Sequence, residues 1–306
     1  MGSDTLMATN NFKPFAQAAS ANVMSQSDYE ALSALLTGFQ SGKASSAQIN
    51  KALRQSSAMA YVLAQFISDS ANVDVLDNGS TSAILANLKL AMTTLTPGRL
   101  LGKRILNTSG AYTPTVGTKS IIVEAIGGGG AGGGSVATTS GQQSSGSGGS
   151  SGGYVMASFT SGFSGASFNI GSGGSAAVGA NGGGGSTTSF LTINAGGGRG
   201  GSVGTASTSS VISGTDGGIA SGGDINAIGS FGNSGIVYTA TVALGGFGGS
   251  SKVYPGSGGV ARASVGDGFA AAGYGCGGGG ANSGASGISR AGGIGTQGLI
   301  IIWEYA

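Results

Sequence analysis

The chain has 306 residues, a net charge of +2, only 8% charged residues, one cysteine and no histidine. The missing histidine removes the usual general base, the Ser-His-Asp relay and the commonest metal ligand, so neither catalysis nor a metal or cofactor is expected. Cys276 has no partner for an internal disulfide, and so small a net charge does not suit an electrostatic reader of nucleic acid.

In chain order, the first part reads as helical. Ser27-Asp28-Tyr29-Glu30 and Ser45-Ser46-Ala47-Gln48 both fit the capping-box pattern, and the spacing predicts helices over 28–39, 46–68 and 82–95. On the second of these, Ile49, Leu53, Ser56, Ala60, Leu63 and Ile67 recur at alternating steps of four and three. Packing on neighbouring helices of the same chain and self-association both account for so short a stripe. Boundaries are placed near Leu76 and Thr118, giving units 1–76, 77–117 (a helix, then a connector from Gly98) and 118–306. The basic residues Arg99, Lys103 and Arg104 read as a solvated surface. The N-terminus shows no basic segment followed by an apolar core, so no secretory signal is read.

At Gly127 the composition changes. Only eight of the 66 glycines precede it, leaving 58 in residues 127–306. Glycine costs the most backbone entropy on folding, so this density implies disorder unless the architecture needs the missing side chains. Strand-like apolar runs at 120–126, 190–193, 236–244 and 299–305, with thirteen aromatic and eight charged residues in this stretch, argue that it folds. The glycines have no strict three-residue period, which excludes collagen. The expectation is therefore mainly β, with glycine rods in polyproline-II-like conformation at 127–134, 182–185, 196–201, 245–249 and 277–280. Rods without side chains can lie close enough to hydrogen-bond to one another. A valine at Gly129 or at Gly184 is accordingly expected to prevent folding.

Ile121-Ile122-Val123-Glu124-Ala125-Ile126 followed by Gly127-Gly128-Gly129-Gly130, the run Gly273-Tyr274-Gly275-Cys276-Gly277-Gly278-Gly279-Gly280 and the closing Leu299-Ile300-Ile301-Ile302-Trp303-Glu304-Tyr305 resemble the glycine-rich C-terminal domain of tailed-bacteriophage tail fibres. Asn11-Phe12-Lys13-Pro14-Phe15, Ala21-Asn22-Val23-Met24-Ser25 and Asn50-Lys51-Ala52-Leu53-Arg54 resemble a module shared by many tail-fibre proteins. The resemblance implies a jelly-roll-like sandwich with its first and last strands paired, joined to a polyglycine bundle, and a small helical attachment or oligomerisation region. It further implies a homotrimer in the virion, made in the host cytoplasm without a signal peptide. The implied partners are other tail proteins and a bacterial outer-surface receptor, either a glycan such as lipopolysaccharide or an outer-membrane protein. A purely structural glycine-rich fibre module and a polysaccharide-cleaving tailspike are the alternatives.

Recognition on such a scaffold falls to the few large side chains at its turns. Phe163, Phe231 and Tyr254 are the expected contacts, with Tyr238 and Phe247 as further candidates, although Phe247, like Tyr274, reads first as a plug between rods and sheet. For a tailspike the candidate carboxylates are Asp216, Asp224 and Asp267, each beside a glycine as in turns. Cys276 is expected to be buried among glycines.

Overall fold

The computed structural model describes residues 8–39, 45–96, 98–251 and 256–306, and the chain forms two compact units, Met1–Pro97 and Gly98–Ala306. It is mainly β, built from antiparallel sheets, with a small helical N-terminal region.

In the first unit, α3 (Ser46–Ala71) opens on the expected capping box, Ser45 with Gln48, and ends at Asn72 in the left-handed conformation. α4 (Thr81–Thr94) starts where the Ser80 hydroxyl accepts the Ala83 N–H at 3.3 Å. The region expected as one helix over 28–39 is instead two short ones, α1 (Gln26–Glu30) and α2 (Ala34–Thr37). Its cap is Ser25 rather than Ser27, and neither piece buries a residue, so no packing sustains a longer helix. Ala64, Ile67, Val75 and Ala91 form the core between α3 and α4 with Phe12, Ile84 and Leu88 against them. Of the apolar stripe on α3 only Ile67 is fully covered; Ile49, Leu53 and Leu63 stay exposed.

The second unit begins with strands where a connector was expected. β1 (Leu100–Leu106) pairs with β15 (Leu299–Tyr305), and β2 (Gly110–Ala111) pairs with β6 (Ser167–Asn169). One five-stranded sheet runs β1, β15, β3 (Ser120–Ile126), β5 (Tyr154–Phe159), β11 (Ile225–Ala227), so the strands flanking the glycine-rich region pair directly. The other runs β10 (Ala220–Ser221), β8 (Ile193–Ala195), β7 (Thr188–Phe190), β6, β2. Strand alternation turns Ile121, Val123, Ile300 and Ile302 of the first sheet toward Phe168, Phe190 and Ile193 of the second, forming one core. The Phe190 and Tyr112 rings meet edge-on at 5.8 Å. Two smaller sheets complete the strands: β9 (Ser210–Ile212), β12 (Gly235–Thr239) and β13 (Val242–Leu244), and the pair β4 (Ser144–Ser145) with β14 (Asn282–Ser283).

Between these sheets the glycine segments bond to one another with a three-residue repeat. The amides of Gly127, Gly130 and Gly133 donate to the carbonyls of Gly153, Ser150 and Ser147; those of Gly128, Ala131 and Gly134 donate to Ser186, Gly183 and Ala180; those of Gly129, Gly132 and Ser135 donate to Thr296, Gly293 and Arg290. The carbonyls of Gly128, Ala131 and Gly134 accept from Gly198, Gly201 and Gly204, while those of Gly130 and Gly133 accept from Gly278 and Ala281. Residues 127–135 are thus buried among backbone, and every one of their amides is paired. A Cβ at Gly128, Gly129, Gly130, Gly132 or Gly133 would lie 2.0–2.1 Å from a neighbouring carbonyl oxygen, so only glycine fits there.

A second central segment, 146–153, was not singled out from sequence because serines interrupt its glycines. Residues 143–153 are all buried. The amides of Ser147, Ser150 and Gly153 donate to Ser202, Arg199 and Gly196, repeating the three-residue pattern. Serine stands where a Cβ has room, and its hydroxyl takes a backbone proton: Ser150 Oγ accepts Arg199 N–H at 2.7 Å, Ser147 Oγ accepts Ser202 N–H at 2.8 Å and Ser151 Oγ accepts Ser230 N–H at 2.7 Å. Glycine stands where a Cβ would collide: 2.2 Å from Gly133 O at Gly146, 1.9 Å from Phe247 O at Gly148, 2.3 Å from Gly130 O at Gly149.

Candidate functional site

The second unit exposes three of the expected aromatics. Phe231 is 62%, Tyr238 52% and Phe247 47% exposed. Phe231 and Phe247 lie on adjacent segments, since the Asn233 N–H donates to the Phe247 carbonyl and the Gly148 N–H donates to that of Asn233, both at 2.8 Å. Tyr238 projects from β12 at an irregularity in its pairing with β13, between Val237 and Thr239.

Beside them is an open groove of about 460 Å³. Its apolar wall is Phe247, Ile236 and Leu244, and its polar edge is Asn233 and Ser234. Gly214, Gly232 and Gly245 contribute bare backbone, because the side-chain directions of all three point into the bundle, 2.1–2.3 Å from neighbouring carbonyl oxygens. None of the lining residues is charged. The Ser234 hydroxyl accepts the Gly214 N–H at 3.2 Å, which ties the two rims together.

One expected contact is not available on this surface. Phe163 is only 6% exposed: its ring packs 6.5 Å from Tyr112 in the core between the two large sheets. Phe163 belongs to the apolar cluster shared by those sheets, where burying a phenyl ring is worth roughly 1.5–3 kcal/mol. Tyr254 lies outside the described residues. Phe247, which also suited a plug, instead stands half in solvent, while Tyr274 packs against Ile126, Leu299 and Ile301.

The carboxylates considered for hydrolysis are engaged separately. Asp224 Oδ2 accepts Ser158 N–H at 2.9 Å, Asp267 Oδ1 accepts Ala291 N–H at 3.0 Å, and Asp216 lies 3.9 Å from Arg199 with both side chains largely exposed. Among the described residues no group of three or more His, Cys, Asp or Glu side chains could hold a metal ion. Cys276 is buried, and burial pushes its thiol upward, away from the nucleophilic thiolate, despite the Ser251 N–H donated to it at 3.2 Å.

The perturbed acids are structural. Glu304 sits on the core side of β15, fully buried, and accepts the Tyr112 hydroxyl at 2.7 Å, the Thr115 hydroxyl at 2.5 Å and the Thr115 N–H at 3.2 Å, with Arg104 at 3.5 Å. Burial acts to raise this carboxyl, but the bonds from Thr115 and Tyr112 and the Arg104 charge outweigh it and hold the group below its ordinary value. The same burial and hydrogen bond push the Tyr112 phenol upward. On the opposite sheet face, Glu124 accepts Trp303 Nε1–H at 3.0 Å and the Tyr154 hydroxyl at 3.1 Å. Burial and the Glu124 charge push the Tyr154 phenol up to about 12.

Asn233, Ile236 and Leu244 were not singled out as site residues. Ile236 and Leu244 belong to an apolar run that reads as a strand, and nothing local marks Asn233. Comparison with protein-family models and with curated proteins finds no match to this chain.

Proposed function

We propose that this chain is the receptor-recognising, distal part of a tailed-bacteriophage tail fibre, adsorbing to a bacterial surface without catalysis or metal. The reading rests on the resemblance of its glycine-rich and N-terminal stretches to that family. The observation that carries it is the pairing of a hydrogen-bonded glycine framework with an uncharged, aromatic-walled groove on its surface. Side chains held by such a framework meet a partner with their ordering cost already met by folding.

We read the three-residue bonding repeat as packed polyglycine-II helices, which have three residues per turn, and the two large sheets as a jelly-roll-like frame. We assign the first unit to attachment and homotrimer formation with the other tail proteins. In support, α3 leaves Ile49, Leu53, Met59 and Val62 exposed, and Leu53 joins Phe15 and Ala60 around an apolar hollow of about 320 Å³.

The test is adsorption of labelled full-length protein to a panel of bacterial strains. A Phe231→Ala/Tyr238→Ala/Phe247→Ala variant should lose most binding and keep its melting temperature; undiminished adsorption would overturn the siting. Light scattering that returns a monomer mass at every concentration would overturn the trimer.

A further inference from the structure

We infer, resting on the siting proposed above, that the groove between Asn233 and Phe247 takes a neutral sugar ring of a surface glycan rather than an anionic sugar or a protein loop. The lining carries no Lys, Arg, Asp or Glu, so it offers an anionic ligand no counter-charge and a cationic one no partner. What it does offer matches a pyranose, which has an apolar C–H face and an edge of hydroxyls. Phe247, 47% exposed, provides an aromatic wall for the C–H face, backed by Ile236 and Leu244.

Asn233 provides the polar edge. Its backbone is held on both sides, by Gly148 and by Phe247, while its exposed side-chain amide bonds to nothing among the described residues. An amide has two donors and one acceptor oxygen in a plane, which suits a pair of adjacent hydroxyls that each donate and accept. Ser234 stands next to it with a hydroxyl that still has a proton to give after accepting from Gly214. Size points the same way. About 460 Å³ falls within the range of small-molecule sites, whereas a stable protein partner covers roughly 800 Å² on each side.

The experiment is retention of the full-length protein on an array of neutral oligosaccharides (hexose, deoxyhexose and N-acetylhexosamine types) alongside anionic ones, with melting temperatures measured in parallel. The parent should be retained on at least one neutral glycan. Asn233→Asp, which keeps the shape but replaces donors with a charge, and Phe247→Ala should each weaken retention about tenfold, while Ile288→Ala, exposed and outside the lining, should not. Retention only on anionic glycans, on none, or equally by Asn233→Asp and the parent overturns the assignment. If bacteria adsorb the parent but not Phe247→Ala and no glycan is retained, the ligand class falls and the receptor site stands. If neutral glycans are retained through Asn233 but no strain adsorbs the protein, the ligand class stands and the bacterial receptor falls.

Discussion

Gly129 and Gly184 both sit in runs of four consecutive glycines, yet adding one methyl group to each should have opposite effects. At Gly129 a Cβ would lie 2.0 Å from the Cys276 carbonyl oxygen and 2.3 Å from its carbon, both backbone atoms of a buried segment. Restoring van der Waals distance needs a displacement of about 1.5 Å between the two segments. That displacement disturbs three bonds: Gly129 N–H to Thr296 O, Gly174 N–H to Gly129 O and Thr296 N–H to Cys276 O. With overpacking at about 1–3 kcal/mol and each weakened bond at about 0.5–1.5 kcal/mol, Gly129→Ala should cost roughly 2.5–7.5 kcal/mol. For a unit of this size that lowers the melting temperature by about 5–30 °C.

At Gly184, which is exposed, a Cβ would meet only Gly198 O at 3.5 Å, an ordinary contact, and its φ is not positive. Gly184→Ala should therefore be neutral or stabilise by about 0.4–1 kcal/mol through the unfolded chain. This corrects the expectation that both positions demand glycine. Thermal unfolding followed by circular dichroism on the two variants decides it. If Gly129→Ala melts within a degree or two of the parent, or the two variants melt alike, the account of close-packed backbone is wrong.

Glu304→Gln should destabilise the second unit by about 1–3 kcal/mol, because the bonds from Tyr112 and Thr115 and the Arg104 contact lose their charge. The folded carboxyl lies below its ordinary value of 4.5, so its contribution is complete above that pH and is lost as pH falls toward the folded value; denaturant unfolding from pH 7 to 3 should show this loss in the parent and not in Glu304→Gln. Ser150→Ala leaves the part-buried Arg199 N–H without the hydroxyl that accepts it at 2.7 Å, and denaturant titration should report a loss of about 0.5–1.5 kcal/mol with an unchanged slope.

Much of the architecture is legible in the residues themselves. The capping box at Ser45 and Gln48, the helix that follows it, the strands at 120–126 and 299–305, and the burial of Cys276 are local or compositional signals that the fold respects. The glycine density likewise announces backbone packed against backbone, because little else repays the entropy of ordering so many glycines. What the sequence conceals is long-range. Residues 98–117 look like a connector, yet β1 lies there because β15, nearly two hundred residues later, offers it an edge.

The same limit governs the site. Phe163 and Phe231 both stand among Gly and Ser, and no local pattern separates them. One ring joins the core cluster of the two large sheets and is buried; the other is exposed on a segment bonded to that of Phe247. Ser147 and Gly148 differ by a side chain whose reason appears only when the Ser202 N–H is brought to one and the Phe247 carbonyl to the other. Composition determined by itself that this half of the chain would be held by backbone contact. Which glycines are indispensable, and which aromatics face a partner, depends on which segments become neighbours, and those neighbours come from distant parts of the chain.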